Sequence, residues 1–173
     1  IFYIDNSDAP NVERNILIQG FNISGCYYSG ENTYESGAIC ANLTHNVTIR
    51  NCIIQGNKCV QGVAAGFSNS GSVVHLIDCV LQDNESHDGG AAINSSSKSS
   101  SVNGTVVNYV PKTIVERCQI TDNQIATSAN NSALVGEVLY NGIQLPLTWP
   151  PTNIDMNSYE LMPVPYLDNL PAV

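Results

Sequence analysis

Residues 47–67 read VTIRNCIIQGNKCVQGVAAGF, and residues 73–93 read VVHLIDCVLQDNESHDGGAAI. With Cys52 set on Cys79, the two stretches fall into register. Val47 meets Val74, Ile49 meets Leu76, Ile54 meets Leu81, Asn57 meets Asn84 and Gly62 meets Gly89. The period is 27 residues, and a fixed period in this range marks a solenoid, propeller or array. Weaker copies flank the pair. Downstream, TIVERCQITDN puts Cys118 in the cysteine column and Asn123 in the asparagine column. Upstream, NILIQGFNISGC puts Phe21 in the cysteine column and Cys26 in the asparagine column.

Four columns emerge: Ile16/Val47/Val74/Thr113, Ile18/Ile49/Leu76/Val115, Phe21/Cys52/Cys79/Cys118 and Ile23/Ile54/Leu81/Ile120. Within a unit the first two columns lie two residues apart, as do the last two, which is strand alternation with one face buried. Between the pairs the phase breaks at Gly20, Asn51, Asp78 or Arg117. Each unit therefore reads strand, bend, strand, turn, then a short third strand around Gly-Ala-Ala. No unit has a helical period. Parallel strands need a crossover, usually a helix. Wrapping the chain into coils makes each coil its own crossover, with layers about 4.8 Å high. The Asn57/Asn84/Asn123 column is expected to form a turn ladder, because Asn tolerates left-handed backbone and its amide can bond the amide of the next coil.

The pattern Leu81-x-x-Asn84 followed by Gly89-Gly90-Ala91-Ala92-Ile93 resembles the repeat of right-handed parallel β-helix proteins, the pectin-lyase-like superfold. It is closest to polymorphic outer-membrane-protein and adhesin-type repeats. Ile54-x-x-Asn57 and Ile120-x-x-Asn123 match with an aliphatic residue in place of an aromatic one. The resemblance covers roughly residues 15–136 and implies an all-β, right-handed parallel β-helix of about four coils. It leaves function open, because this superfold hosts lyases, hydrolases, adhesins and structural proteins alike.

The formal charge is −9 with six Lys and Arg, so the basic stripe of a nucleic-acid binder is missing. No apolar run is long enough to span a bilayer as a helix. The sequence starts at Ile1 rather than Met, which fits a removed signal or a piece of a longer protein. Seven Asn-x-Ser/Thr sequons, at Asn22, Asn42, Asn46, Asn84, Asn94, Asn103 and Asn130, point to a secreted, N-glycosylated, extracellular or cell-surface protein. Asn84 carries two competing readings, ladder and glycan site. Six cysteines fit disulfides in an oxidising compartment. Cys26 with Cys59 is the first expected pair, one pair among Cys52, Cys79 and Cys118 the second, and Cys40 has no clear partner.

In chain order, residues 1–14 read as an initial strand and turn covering the open end. Residues 26–36 insert a loop with Tyr27, Tyr28 and Tyr34. The Ser-rich stretch NSSSKSSSVNGTVVNYV stretches the spacing to 39 residues and reads as a flexible projecting loop. The β-helix domain is placed at 1–136 and an extended proline-rich arm at 137–173. That arm packs either on its own coils or on a neighbouring subunit, with Trp149, Tyr159 and Tyr166 as docking anchors in the second case.

No recognisable catalytic set occurs. The polygalacturonase and pectate-lyase patterns have no counterpart here. Asp83 and Asp122, equivalent positions on adjacent coils, form the best acid pair: a glycosidase-like couple, a calcium site with Glu85 or Asp88, or plain turn residues. His45, His75 and His87 are scattered and read as surface residues, and the loop tyrosines could stack on sugars. The expectation is therefore a secreted structural or adhesive glycoprotein, without enzymatic activity, metal or cofactor. It assembles head-to-tail with other copies of itself into a filament or surface layer. The alternative is a carbohydrate-binding or carbohydrate-cleaving β-helix protein.

Overall fold

A residue held in left-handed backbone between two extended segments turns the chain and reverses which side faces inward. Each of the four phase-break positions does this. Gly20, Asn51, Asp78 and Arg117 have φ of 76°, 51°, 53° and 49°. A second such set stands at Gly25, Gly56, Asp83 and Asp122, with φ of 68°, 60°, 53° and 55°. These stacked corners wrap the chain into coils.

The computed structural model describes residues 2–29, 36–62, 64–87 and 90–126. Beyond these it describes the backbone of 132–136, 138–140, 143–144 and 148–151. The first coil holds β1 (Phe2–Asp5), β2 (Ile16–Gln19), β3 (Asn22–Ser24) and β4 (Tyr27–Tyr28). The second holds β5 (Ile39–Asn42), β6 (Val47–Arg50), β7 (Ile53–Gln55) and β8 (Lys58–Cys59). The third holds β9 (Phe67–Ser70), β10 (Val73–Ile77), β11 (Val80–Gln82) and β12 (Glu85–Ser86). The fourth begins with β13 (Ile93–Ser96), is interrupted by β14 (Lys98–Val102) and β15 (Thr105–Tyr109), and continues through β16 (Lys112–Glu116), β17 (Gln119–Thr121) and β18 (Gln124–Ile125). A partial fifth coil adds β19 (Ser132–Gly136) and β20 (Val138–Tyr140), followed by β21 (Ile143–Gln144) and β22 (Thr148–Pro151).

Strands of like rank stack into four sheets. Sheet A runs β1-β5-β9-β13-β19-β22, sheet B β2-β6-β10-β16-β20-β21, sheet C β3-β7-β11-β17 and sheet D β4-β8-β12-β18. All neighbours are parallel except β19 with β22 and β20 with β21. The chain is an all-β parallel β-helix in the register that the repeat dictates. Val47 pairs with Val74, Ile49 with Leu76 and Ile54 with Leu81. Upstream Ile16 pairs with Val47 and Ile23 with Ile54, and downstream Leu81 pairs with Ile120.

Packing follows from register. Ile18, Ile49, Leu76 and Val115 are buried, as are Ile23, Ile54, Leu81 and Ile120. Burying such a side chain contributes about 1.5–3 kcal/mol. Cys52, Cys79 and Cys118 complete a third buried column, but Phe21 at its head is 49% exposed and lies edge-on against Phe2, with ring centroids 5.5 Å apart. Sheet A supplies a column that alternation did not reveal, Ile39/Phe67/Ile93. Its strands β5 and β9 are buried on both faces, so they show no alternation to read. Coils approach closely here: a Cβ on Gly66 would stand 2.6 Å from the Ala92 carbonyl oxygen.

The asparagine ladder is continuous, but the left-handed backbone expected of its residues falls one position earlier, at Gly56, Asp83 and Asp122. Asn57 Nδ2 donates to Asn84 Oδ1 at 2.9 Å, and Asn84 Nδ2 donates to Asn123 Oδ1 at 2.8 Å. The same oxygens accept from the backbone N–H of Asn57 and Asn84 at 3.2 and 3.1 Å. The amides also donate to the Ile23, Ile54 and Leu81 carbonyls. At the first coil Cys26 stands in this column and gives only its backbone N–H to Asn57 Oδ1, at 3.0 Å.

Several expectations change. Each coil has four strands rather than three. Residues 2–5 do not cover an end: β1 pairs with β5 as part of sheet A. The Ser-rich insertion is an antiparallel hairpin, not a flexible loop, closed at Asn103-Gly104 with φ of 50° and 79°. Two consecutive positive φ values make the tight turn that matches strand twist. Its base lies on Gly71, where an added Cβ would meet Lys98 Cβ and Tyr109 Cβ at 3.0 Å. Tyr109 Oη donates to Asn11 Oδ1 at 3.0 Å, tying the hairpin to the first coil. The expected boundary at 136/137 falls inside the stack, because β20 continues sheet B in parallel with β16. The antiparallel strands β22 and β21 close sheets A and B at the far end.

Two substitutions test this architecture. Leu81→Asp buries an unpaired carboxylate in mid-column, at a cost of several kcal/mol against a total stability of about 5–15 kcal/mol; no soluble, protease-resistant product is expected. Asn84→Ala removes both ladder bonds and leaves buried partners unpaired. A loss of about 3 kcal/mol is expected in chemical denaturation, and an unchanged midpoint would refute the ladder.

Candidate functional site

The acid pair resolves into turn chemistry. Asp83 and Asp122 both occupy left-handed corners, each immediately before a ladder asparagine. Asp tolerates that conformation better than most residues, which accounts for its presence without catalysis. Glu85, the other carboxylate considered for calcium, forms an ion pair with Lys58 at 2.6 Å. Asp88 lies outside the described residues. Among the described residues no group of three or more His, Cys, Asp and Glu is placed to hold a metal ion.

Arg117 illustrates the same economy. A left-handed arginine is uncommon. Here its guanidinium binds Asp78, one coil away, through Nε–Oδ1 at 2.7 Å and Nη2–Oδ2 at 2.9 Å. That hydrogen bond holds the Asp78 carboxyl below the usual carboxylate range. Outside sheet C, Gln82 Nε2 donates to Gln55 Oε1 at 2.9 Å, and Gln55 Nε2 donates to Asn22 Oδ1 at 3.3 Å.

The histidines divide. His45 Nε2 lies 3.1 Å from the Pro10 carbonyl oxygen, so it donates there and tethers the loop between β1 and β2. It is a structural contact rather than a solvated side chain. His75 stands on the outer face of sheet B beside Thr48 and Ile114. With Asn15, Ile16, Leu17, Asn46, Thr48 and Arg50 it lines a shallow open depression of 410 Å³. No carboxylate among the described residues lines it. His87 is half-buried at the end of β12. Tyr27 is exposed and Tyr28 half-buried; Tyr34 lies outside the described residues.

The sequons sort by burial. Asn22, Asn46 and Asn103 are exposed. Asn22 Oδ1 is engaged by Gln55, while its Nδ2, the atom that carries a glycan, has no partner among the described residues. Asn103 sits at the hairpin tip. Three sites do not fit the expectation. Asn84 has no exposed surface and uses its Nδ2 in the ladder. Asn42 and Asn94, at 3% and 5% exposure, lie in sheet A, and Asn42 Nδ2 donates to Asp5 at 2.9 Å. Asn130 lies outside the described residues.

No disulfide joins the six cysteines, Cys26, Cys40, Cys52, Cys59, Cys79 and Cys118, contrary to the expected pairs. Cys52, Cys79 and Cys118 stack in register, and their sulfurs donate to backbone carbonyls two residues upstream, at 3.3 Å in each case. Cys118 Sγ also accepts the Cys79 N–H at 3.4 Å. Cys26 and Cys59 are not opposite one another, because Cys59 pairs with Tyr28. Cys59 Sγ lies against Gly62, at 2.5 Å from where a Cβ would stand. Cys40 is buried in β5.

Trp149 falls in β22, which pairs with β19 of the same chain; its side chain, and all of Tyr159 and Tyr166, lie outside the described residues. Among the described residues no helix is long and apolar enough to cross a membrane. The fold thus defines a parallel β-solenoid in which Asp83 and Asp122 stand at corners and Glu85 in an ion pair. No family model, curated protein or solved structure matches the chain.

The thiols give a pH prediction. Burial pushes the Cys52 and Cys59 thiols up, while in the stacked pair the hydrogen bond between Cys79 and Cys118 pulls Cys79 down to about 7 and pushes Cys118 up. The lowered Cys79 has the opposite sign: its contribution is present above the unfolded value and is lost as pH falls through about 7. A raised pKa in the fold means that stability is fully present below the unfolded thiol value of about 8.5 and is lost as pH rises through the folded values. The denaturation midpoint is expected to fall between about pH 8 and 10, and to fall less in Cys52→Ala. Thiol titration of the native protein should modify half-buried Cys26 first. Equal reactivity of all six without denaturant would contradict the burial described.

Proposed function

We propose that the chain is a secreted structural or adhesive glycoprotein segment, a stiff solenoid rod that works by assembling with copies of itself. The observation that carries this reading is how the outward chemistry is spent. The acids best placed for catalysis hold left-handed corners or ion pairs, and the amides hold neighbouring coils together. Three sequons stand on exposed positions, and the repeat resembles those of adhesin-type proteins. Stiffness follows from coil-to-coil bonding along every wall, and free thiols withdrawn into the core are shielded from oxidants outside the cell.

The test is peptide mapping of protein made in a glycosylating host, with glycan release in heavy-oxygen water. The deamidation mark is expected at Asn22, Asn46 and Asn103 and not at Asn84. A mark at none of the three removes the main support for secretion. Incubation with acidic and neutral polysaccharides is expected to give no cleavage. Turnover would favour the carbohydrate-active alternative.

A further inference from the structure

The glycoprotein reading leaves open what its sugars do, and the three exposed sequons stand in different surroundings. We propose that the shallow depression on the outer face of sheet B is the seat of the glycan carried by Asn46, and that its occupant is the innermost N-acetylhexosamine of that glycan. The inference rests on the glycosylated reading.

Strand alternation builds the site. Val47 and Ile49 of β6 are buried, so Asn46, Thr48 and Arg50 fall on the outer face. The sequon Asn46-Val47-Thr48 therefore presents its asparagine and its threonine side by side. Asn46 is exposed with φ of 58°, and its carbonyl accepts the Ile16 N–H at 3.1 Å, which holds this left-handed residue against β2. Its Nδ2, the atom that carries a glycan, has no partner among the described residues. Both sequon side chains line the depression of 410 Å³, with Asn15 and Leu17 from the first coil, Arg50 from the second and His75 from the third. Register sets Leu17, Thr48 and His75 in one outward column. A sugar on Asn46 thus emerges into this depression, across three coils, whereas Asn103 stands at a hairpin tip and Asn22 beside Gln55 on sheet C.

The lining suits a sugar. The Asn15 amide and the Thr48 hydroxyl both donate and accept, the Arg50 guanidinium donates, and His75 offers its ring nitrogens. Sugar hydroxyl and acetamido groups likewise do both. Among the described residues the side chains of Arg50 and His75 form no hydrogen bond or ion pair, so these groups are not spent on the fold. Leu17, 60% exposed, supplies apolar surface for the C–H face of a ring. A small free anion would use Arg50 and His75 and leave Leu17 uncovered. A free sugar would meet the same groups in a site too open to hold it. The tether decides between the two sugars. One side chain long, it gives the attached sugar a local concentration on the order of millimolar or above, at which weak contacts keep it seated.

Carbethoxylation of His75 tests the seat, with His87, which follows β12 in sheet D, as the reference within the same molecule. The whole chain is made once in a glycosylating host and once in a host that adds no N-glycans. His75 is expected to react at least about fivefold more slowly in the glycosylated protein, while His87 reacts alike in both. The double variant L17A/R50A keeps the sequon and is altered only at exposed positions. In it the protection should fall below about twofold, with the unfolding curve of the unglycosylated chain unchanged. Equal reactivity of His75 in protein whose Asn46 is occupied would overturn the proposal, as would protection that survives in the double variant. Glycans mapped at Asn22 or Asn103 with Asn46 bare would also overturn it and leave the secreted glycoprotein standing. A map empty at all three sites sinks the parent reading, and this one with it.

Discussion

The structure depends on keeping equivalent residues of successive coils in register. A slip of one residue in any sheet would turn its inward set outward. Two devices prevent the slip. The left-handed corners fix where each wall ends, and the asparagine ladder bonds each corner to the next through side chain and backbone together. Hydrophobic burial supplies most of the stabilisation, yet aliphatic columns alone would tolerate sliding along the strand. The ladder is directional and buried, and misplacing it would strand several polar groups at once.

That constraint explains the outer surface. A corner needs a residue that tolerates positive φ, which is why Gly, Asn and Asp recur there. Asp78 is at once a corner and the partner that makes an arginine corner tolerable in the next coil. Carboxylates that look paired for chemistry in a repeat alignment are paired because corners stack. A solenoid thus generates columns of like acids for structural reasons, and such columns are weak signals of a site.

The same logic sets the rod's asymmetry. Each coil templates the next, so an end must either present the template or spoil it. At the far end the chain turns back on itself and ends sheet A with a proline-bearing edge. At the near end the ladder and cysteine columns change character at Cys26 and Phe21. The hairpin that links the fourth coil to Asn11 of the first runs along the stack and couples layers that do not otherwise touch.

The sequence by itself determined the fold class, the period, the register and four of the core columns, because stacking like on like writes the tertiary contact into the repeat. Ile54 lies on Leu81 in space because it does so in the alignment. It also showed the ladder, since Asn at a fixed place in each unit has few other uses. What it could not show is whatever breaks the repeat or lies buried on both sides. The Ile39/Phe67/Ile93 column was illegible because β5 and β9 are buried on both faces, polar residues included. The Ser-rich insertion hid a hairpin whose one local signal was Asn103-Gly104. Sequons and cysteines were ranked by motif, and only tertiary structure could sort them. Burial removes Asn42, Asn84 and Asn94 from the surface, and the register sets Cys59 beside Tyr28 rather than Cys26. Local chemistry names what a side chain can do; which of those things it does depends on what the neighbouring coil leaves room for.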